Sequence, residues 1–479
     1  MSEGHPLHGR ALALADRFLA VLDATLAVCA GLVVLYLIVG RIDLGFLTVS
    51  RLSKPVLLLL PLAALRAAIP RRSWLTLPLE RAHARVREAL AKAERRTPWA
   101  AAGIDSAVAV LAVHVIAKLT AVYANLLFPA DRDQQMSMPF GAIKFAQAFA
   151  AWDSGWYFDI ARRGYLFDGS GHRAIAFFPL YPLLMRLAAW PFGGTERALW
   201  IAGVGLSYAC FFLGLVVLHR LTAARFADRE AARRTVLYVS VFPFAYFFTQ
   251  VYTESLFFLL SVSAVAAATT SRWGLAGALG FLTALVRPNG VLIAVPLGLL
   301  ALAGRPRPLE LARRALAVTL VPAGLASYCL FAFRLSGDPL AWLHAQAQWG
   351  YTLGNRPWVE LMRMLDGLER HGPYGYFFSD PLAPYYFVHG MVALAVVALV
   401  PSVFARLGPA LGAYVAVTLY VPLTSNALEG IGRYTATLFP LFMLLGAVTS
   451  KRAHEALLIT FALVLSLFAS LFVTFHPIY

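Results

Sequence analysis

Charge and cysteine are scarce in this chain, and each scarcity closes off a class of protein. Only 14% of the 479 residues are charged while 60% are hydrophobic. Soluble domains carry about 25% charged residues, so a water-soluble globule is excluded. The three cysteines, Cys29, Cys210 and Cys329, lie in apolar runs without metal-ligand spacing and read as small core residues. No His/Cys cluster has metal-ligand spacing, and neither a P-loop nor a glycine-rich dinucleotide fingerprint is present, so a soluble nucleotide lacks its usual cradle. Short internal repeats and low-complexity linkers are also missing. The first apolar run, about residues 18–39, is long enough to stay as a span rather than be cleaved as a signal peptide.

What the chain has in abundance is long Leu-, Ala- and Val-rich runs. In lipid a backbone must satisfy its own hydrogen bonds, and a helix needs about 20 apolar residues to cross. Barrel strands alternate, and these runs do not. The fold class predicted is therefore an all-α polytopic membrane protein with about thirteen transmembrane helices. The spans fall near 18–39, 53–69, 101–128, 198–219, 235–250, 252–270, 273–289, 291–303, 315–333, 384–404, 410–424, 435–449 and 455–474.

The net charge of +16 is distributed as topology rather than as a nucleic-acid surface. Basic residues gather in alternate connections: residues 71–96, Arg220 to Arg234, Arg305 to Arg314, and Lys451 with Arg452. The positive-inside rule assigns these to the cytoplasm. The longer loops, 129–197 and 334–383, and the shorter 425–434 then fall outside. Three segments are expected: a two-helix hairpin over 1–70, a charged amphipathic helix over 71–97 on anionic headgroups, and a transmembrane domain over 98–479.

The first external loop carries most of the chemistry, and interfacial helices are expected within it. If residues 151–164 are helical, Asp153, Trp156, Tyr157, Ile160 and Gly164 share a face. A carboxylate beside aromatic rings suits deprotonation of a hydroxyl, with Trp152, Trp156 and Tyr157 forming a wall for a sugar. An N-cap is the structural alternative for Asp153. Asp159 and Arg163, spaced i,i+4, are expected to be a surface ion pair, and Arg162, His172 and Arg173 are weaker phosphate candidates. Pro179 and Pro182 spoil a straight span, so Phe177, Phe178 and Tyr181 are expected along the interface, toward lipid or a lipid-linked ligand.

Further polar groups thread to the same side. Tyr252 and Glu254 stand at an outer turn, Arg287 and Asn289 end an outward span, and Asn426, Glu429, Arg433 and Tyr434 occupy the last external loop. Arg287 and Arg433 suit a phosphate, which guanidinium binds through two parallel hydrogen bonds. Tyr252, Glu254 and Asn289 join the sugar or acceptor pocket. His114 and Lys118 read as an interhelical polar contact. Loop 334–383, with Gln346, Gln348, Tyr351 and Trp358 among its residues, reads equally as a carbohydrate surface or as amphipathic interfacial helices.

Trp152-Asp153-Ser154, Tyr157, Ile160-Ala161 and Gly164-Tyr165, followed by Ala176 to Pro182, resemble the first luminal loop of the PIG-V family, the GPI mannosyltransferase II type enzymes of the GT-C superfamily. Tyr252 to Phe257 and Val286 to Gly290 resemble two further family motifs in the same order. Pro288 stands where the family has Ser, Gly169 to Arg173 form an insertion, and residues 1–97 have no counterpart. The resemblance implies a GT-C-like inverting transferase that uses a polyprenyl-phosphate sugar, typically mannose, with Asp153 at the catalytic position. The implied partners are that donor, a glycolipid, glycan or protein acceptor, and membrane lipids, with no nucleic acid. Metal dependence stays open: Asp153, Asp159 and Glu254 could offer oxygens to Mg²⁺ or Mn²⁺, without a diagnostic spacing. The Ala-, Leu- and Arg-heavy composition suggests a bacterial inner membrane; a eukaryotic protein would occupy the ER membrane, and either way the site is external or luminal. The alternatives are a GT-C transferase for another lipid-linked sugar and, in a different class, a transporter or flippase of lipid-linked saccharides. The gathering of ionisable groups at one interface speaks against the transporter.

Overall fold

The structure is a computed structural model that describes residues 18–33, 42–43, 48–49, 62, 65–66, 97–128, 144–165, 171–348, 350–351, 354–380, 382–425, 428, 430–448 and 450–476. The chain divides into two compact units, Met1–Thr97 and Pro98–Tyr479. In the first, the apolar helix α1 spans Phe18–Val33. Ile42 pairs with Val49 and Asp43 with Thr48 in a short antiparallel ladder, and Arg66 donates to the buried Asp23 at 2.7 Å. The expected span 53–69, apart from residues 62, 65 and 66, and the charged segment 71–97, apart from Thr97, lie outside the described residues.

Among its described residues the second unit consists of helices joined by turns, with no strand. Its helices are α2 (Pro98–Leu127, with a π-helical stretch His114–Leu119), α3 (Ser154–Arg163), α4 (Leu180–Ala189), α5 (Glu196–Phe226), α6 (Arg229–Val241), α7 (Glu254–Thr269) and α8 (Trp273–Ala284). They continue with α9 (Ala294–Leu302), α10 (Pro308–Ser336), α11 (Ala341–Ala347), α12 (Val359–Ser379), α13 (Ala383–Leu407), α14 (Pro409–Leu423), α15 (Ile431–Thr437), α16 (Phe439–Val448) and α17 (Lys451–Val473). Among the described residues, five helices are long and apolar enough to cross a bilayer: α2, α5, α10, α13 and α17. Their outward residues, such as Leu111, Leu316 and Leu463, are exposed apolar side chains suited to lipid.

Several expected spans are instead broken elements. The run 235–250 is not one helix: α6 ends at Val241 because Pro243 forces Phe242 into an extended conformation, and a 3₁₀ turn follows at Ala245–Thr249. The run 291–303 is a 3₁₀ turn leading into α9, and the run 435–449 divides at Leu438 between α15 and α16. These breaks place backbone turns, rather than helix middles, around the polar residues.

Lipid supplies no hydrophobic gain for bringing helices together, so close approach depends on small residues. A Cβ on Gly277 would strike the carbonyl of Ala317, and one on Gly324 that of Phe281, which shows how tightly α8 lies on α10. The aromatic segment Phe242 to Phe248 is buried and packs on α17 through Phe468 and Phe472.

Candidate active site

Trp152 has φ of 53°, in the left-handed region that non-glycine residues rarely occupy. Two contacts hold it there: its indole N–H donates to the Phe472 carbonyl at 2.9 Å, and its ring packs on Phe475. This turn directs Asp153 away from the role of helix cap. Asp153 precedes α3, but its side chain makes no capping bond. Its Oδ2 instead accepts from Arg433 Nη1 at 2.9 Å. The Tyr252 hydroxyl fixes the backbone by accepting from the Asp153 N–H at 3.0 Å and donating to the Ala151 carbonyl at 3.2 Å.

Glu254 opens α7, where the positive end of the helix favours a carboxylate. It is fully buried, and its Oε1 accepts from Arg433 Nε at 2.7 Å and from Arg287 Nη1 at 2.9 Å. The order is thus Asp153, Arg433, Glu254, Arg287: two carboxylates and two guanidinium groups in one chain of charge-assisted bonds. Arg287 is held extended by the following Pro288, and its guanidinium lies 5.2 Å from the Tyr434 ring centroid. Arg433 sits between the rings of Phe247 and Tyr252, at 4.9 Å from each. Its helix starts after Gly430, whose φ of 78° suits glycine. A Cβ on Gly432 would collide with the Phe244 ring, so that glycine lets α15 settle onto the aromatic segment.

These residues border a cavity of about 360 Å³, within the range of small-ligand sites. Asp153, Arg287, Arg433 and Tyr434 form its charged wall, and Trp152, Tyr157, Phe177 and Phe178 supply aromatic surface. Trp342, Leu343, Gln346 and Tyr351 come from α11 and the residues after it. Burial pushes the Tyr157 phenol well above its usual range, so it faces the cavity as a neutral hydroxyl, 3.4 Å from Thr253 Oγ1.

The remaining sequence candidates divide between cavity and support. Trp156 stacks on Phe177 at 5.5 Å, while Tyr252, Glu254 and Asn289 are buried behind the lining. Tyr181 was expected toward lipid or a lipid-linked ligand; it is fully buried away from the cavity, with its hydroxyl bonded to the Gly203 carbonyl and Ser207. The reason is that α4 packs its Tyr181 face on α5, a tertiary contact that the two prolines do not reveal. Phe178 is also buried but lines the cavity, 4.3 Å from the Tyr328 ring. Asp159 and Arg163 pair at the surface at 2.9 Å, and Arg162 pairs with Glu196 at 2.7 Å. His114 meets Tyr208 at 2.6 Å, and Lys118 donates to the Ala148 carbonyl at 2.6 Å. The side chains of His172 and Arg173, and residues Asn426 and Glu429, lie outside the described residues. Trp342 was missed: it gives no local sign of a site, and only α11 brings it to the cavity.

Among the described residues there is no group of three or more His, Cys, Asp or Glu side chains able to hold a metal. Asp153 and Glu254 both give oxygens to Arg433, and Asp159 is engaged with Arg163.

The resemblance to the PIG-V family is borne out. Residues 114–306 match the family described as Mannosyltransferase (PIG-V). A stretch of 186 residues is 27% identical to GPI mannosyltransferase 2 of Yarrowia lipolytica, covering 39% of this chain and 50% of that protein. The chain therefore spans about half the length of the curated relative it matches. Among solved structures it is similar to ArnT from Cupriavidus metallidurans bound to undecaprenyl phosphate, with 17% identity, 75% of this chain and 62% of that one covered, and a TM-score of 0.46. It is also similar to the archaeal oligosaccharyltransferase AglB from Archaeoglobus fulgidus in complex with an inhibitory peptide and a dolichol-phosphate. There the identity is 14%, the coverage 77% and 56%, and the TM-score 0.38.

Proposed function

We propose that the protein is a membrane mannosyltransferase that moves the sugar of a polyprenyl-phosphate donor onto an acceptor hydroxyl with inversion. The observation that carries this reading is a partly exposed carboxylate, Asp153, sharing a cavity wall with Arg433 and Arg287 opposite aromatic surface. The match to a mannosyltransferase family supports the sugar and the reaction class.

In this mechanism the donor phosphate takes up hydrogen bonds from Arg433 and Arg287. At rest Arg433 Nη1 occupies Asp153 Oδ2, so drawing that nitrogen toward phosphate frees the oxygen to accept the acceptor proton. The acceptor oxygen then forms its bond to the anomeric carbon as the bond from that carbon to the phosphate oxygen breaks. The phosphate leaves with the electron pair, and the two guanidinium groups stabilise its charge. Trp152, Tyr157 and Phe177 present flat apolar surface to the sugar.

The basic connections orient the chain with this cavity on the external or luminal side, and the expected crossings, about thirteen, belong to the same reading. A divalent cation is left an auxiliary part, because the arginines already supply positive charge; chelation tests it. The central experiment is Asp153→Asn assayed with polyprenyl-phosphate mannose. Loss of a general base should lower turnover by about 10²–10⁴-fold in a protein that still unfolds in a cooperative thermal transition. Turnover within a few-fold of wild type would remove Asp153 from the role.

A further inference from the structure

At the opposite end of α8 from Arg287, a second cavity of about 500 Å³ opens between the starts of α8 and α10. Its wall includes Ser271, Trp273, Arg313, Arg314, Leu316 and Leu320. We infer that it binds the phosphodiester headgroup of an anionic membrane phospholipid, with acyl chains running along Leu316 and Leu320.

Three observations converge on that ligand. The first is charge. Arg272, Arg305, Arg307, Arg313 and Arg314 crowd the two turns at this end, where Glu310 is the one acid in the cavity wall. Arg313 is exposed, whereas Arg314 is fixed: its Nη1 donates to the Ala301 and Ala303 carbonyls at 3.1 Å each, and Nη2 to Glu310.

The second is unspent donors. Arg314 Nε and Trp273 Nε1 are buried and lack a hydrogen-bond partner, although buried donors are ordinarily satisfied. Both belong to side chains on the cavity wall, and the Arg314 guanidinium lies 5.2 Å from the Trp273 ring centroid. Both atoms lie beneath the surface, so a phosphate in the cavity would act on this guanidinium and indole through its charge, which apolar chains do not carry.

The third is amphipathic geometry. α10 contains a membrane-crossing window, and its first turns put Leu309 and Leu316, 67% and 69% exposed, beside the arginines. Tryptophan and arginine above lipid-facing leucines is the arrangement of a bilayer headgroup layer. A soluble anion has no use for that apolar strip.

The test is native mass spectrometry of the full chain released from nanodiscs of equal phosphatidylglycerol and phosphatidylcholine. Wild type should retain phosphatidylglycerol preferentially. Arg313→Ala should cut that preference about fivefold, the usual effect of one surface arginine near anionic lipid, and Trp273→Phe should weaken it further in combination. Arg186→Ala, in α4, is the control and should leave it unchanged. Equal retention by wild type and the double variant would overturn the site. Inorganic phosphate displacing the lipid at millimolar concentration would also overturn it, by showing a soluble-anion site. Sugar transfer by Arg313→Ala should equal wild type, so this outcome stands apart from that of the Asp153 variant.

Discussion

Arg433 and Asp153 are 280 residues apart in the chain and meet at 2.9 Å. The pairing joins a loop acid to a short helix that follows a glycine turn. It gives the proposed base a resting partner that a phosphate can take from it.

Arg433 reaches Asp153 and Glu254 through different nitrogens. A lysine cannot span both carboxylates from one ammonium. Losing one hydrogen bond to a charged group costs about 1.5–3 kcal/mol, so Arg433→Lys should lose roughly tenfold or more in kcat/KM. Arg287→Lys, which keeps its one contact with Glu254, should lose less. Steady-state kinetics on both variants would decide it, and equal losses would refute the spanning role.

Glu254→Gln should destabilise the protein by about 3 kcal/mol, since it leaves two mostly buried guanidinium groups short of a charge. The donor KM should rise as well, because neither arginine is then held in place. Thermal unfolding in detergent, together with donor titration, measures both. A variant with wild-type Tm would show that Glu254 contributes nothing as an anchor.

Tyr252→Phe removes the hydroxyl that holds Asp153 N–H and Ala151 C=O. Leaving such groups unsatisfied costs about 1–3 kcal/mol. The expected kinetic pattern is a fall in kcat with donor KM nearly unchanged, because the phosphate contacts remain. A change confined to KM would contradict the positioning argument.

Lys118→Met should cost less than about 1 kcal/mol despite the buried amine. Ala148 C=O keeps a second donor, Gln250 Nε2 at 3.1 Å, and a buried polar group is exchanged for an apolar one of similar length. Chemical or thermal unfolding would show it; a loss of several kcal/mol would mean that Lys118 is essential to the loop.

The helical character of the chain from residue 98 onward and the site's main charges were readable in the sequence because both follow from local signals. Apolar runs declare helices, and an Asp among tryptophans or an Arg before Pro-Asn-Gly stands out in a chain this poor in charge. The surface pair of Asp159 and Arg163 was readable for the same reason, being set by spacing along one helix. Phe178 lines the cavity, whereas Tyr181 is buried away from it; the sequence does not separate them, because an aromatic next to proline looks the same whether a ligand, lipid or a neighbouring helix covers it. The break at Pro243 is marked by the proline itself, but the apolar run continues on both sides of it, so hydrophobicity alone does not separate the two elements.

By itself, the sequence determined that the chain lies in a membrane as helices, that its ionisable groups are few, and which of them stand at helix ends. Composition and spacing suffice for this, because burying a backbone in lipid leaves few choices. Only the tertiary structure decided that Glu254 is the anchor for both arginines rather than part of the lining, and that Arg433 rests on Asp153. Those roles depend on which turns meet in space. The charge of a side chain is written in the chain, while the partner that neutralises it is chosen by packing.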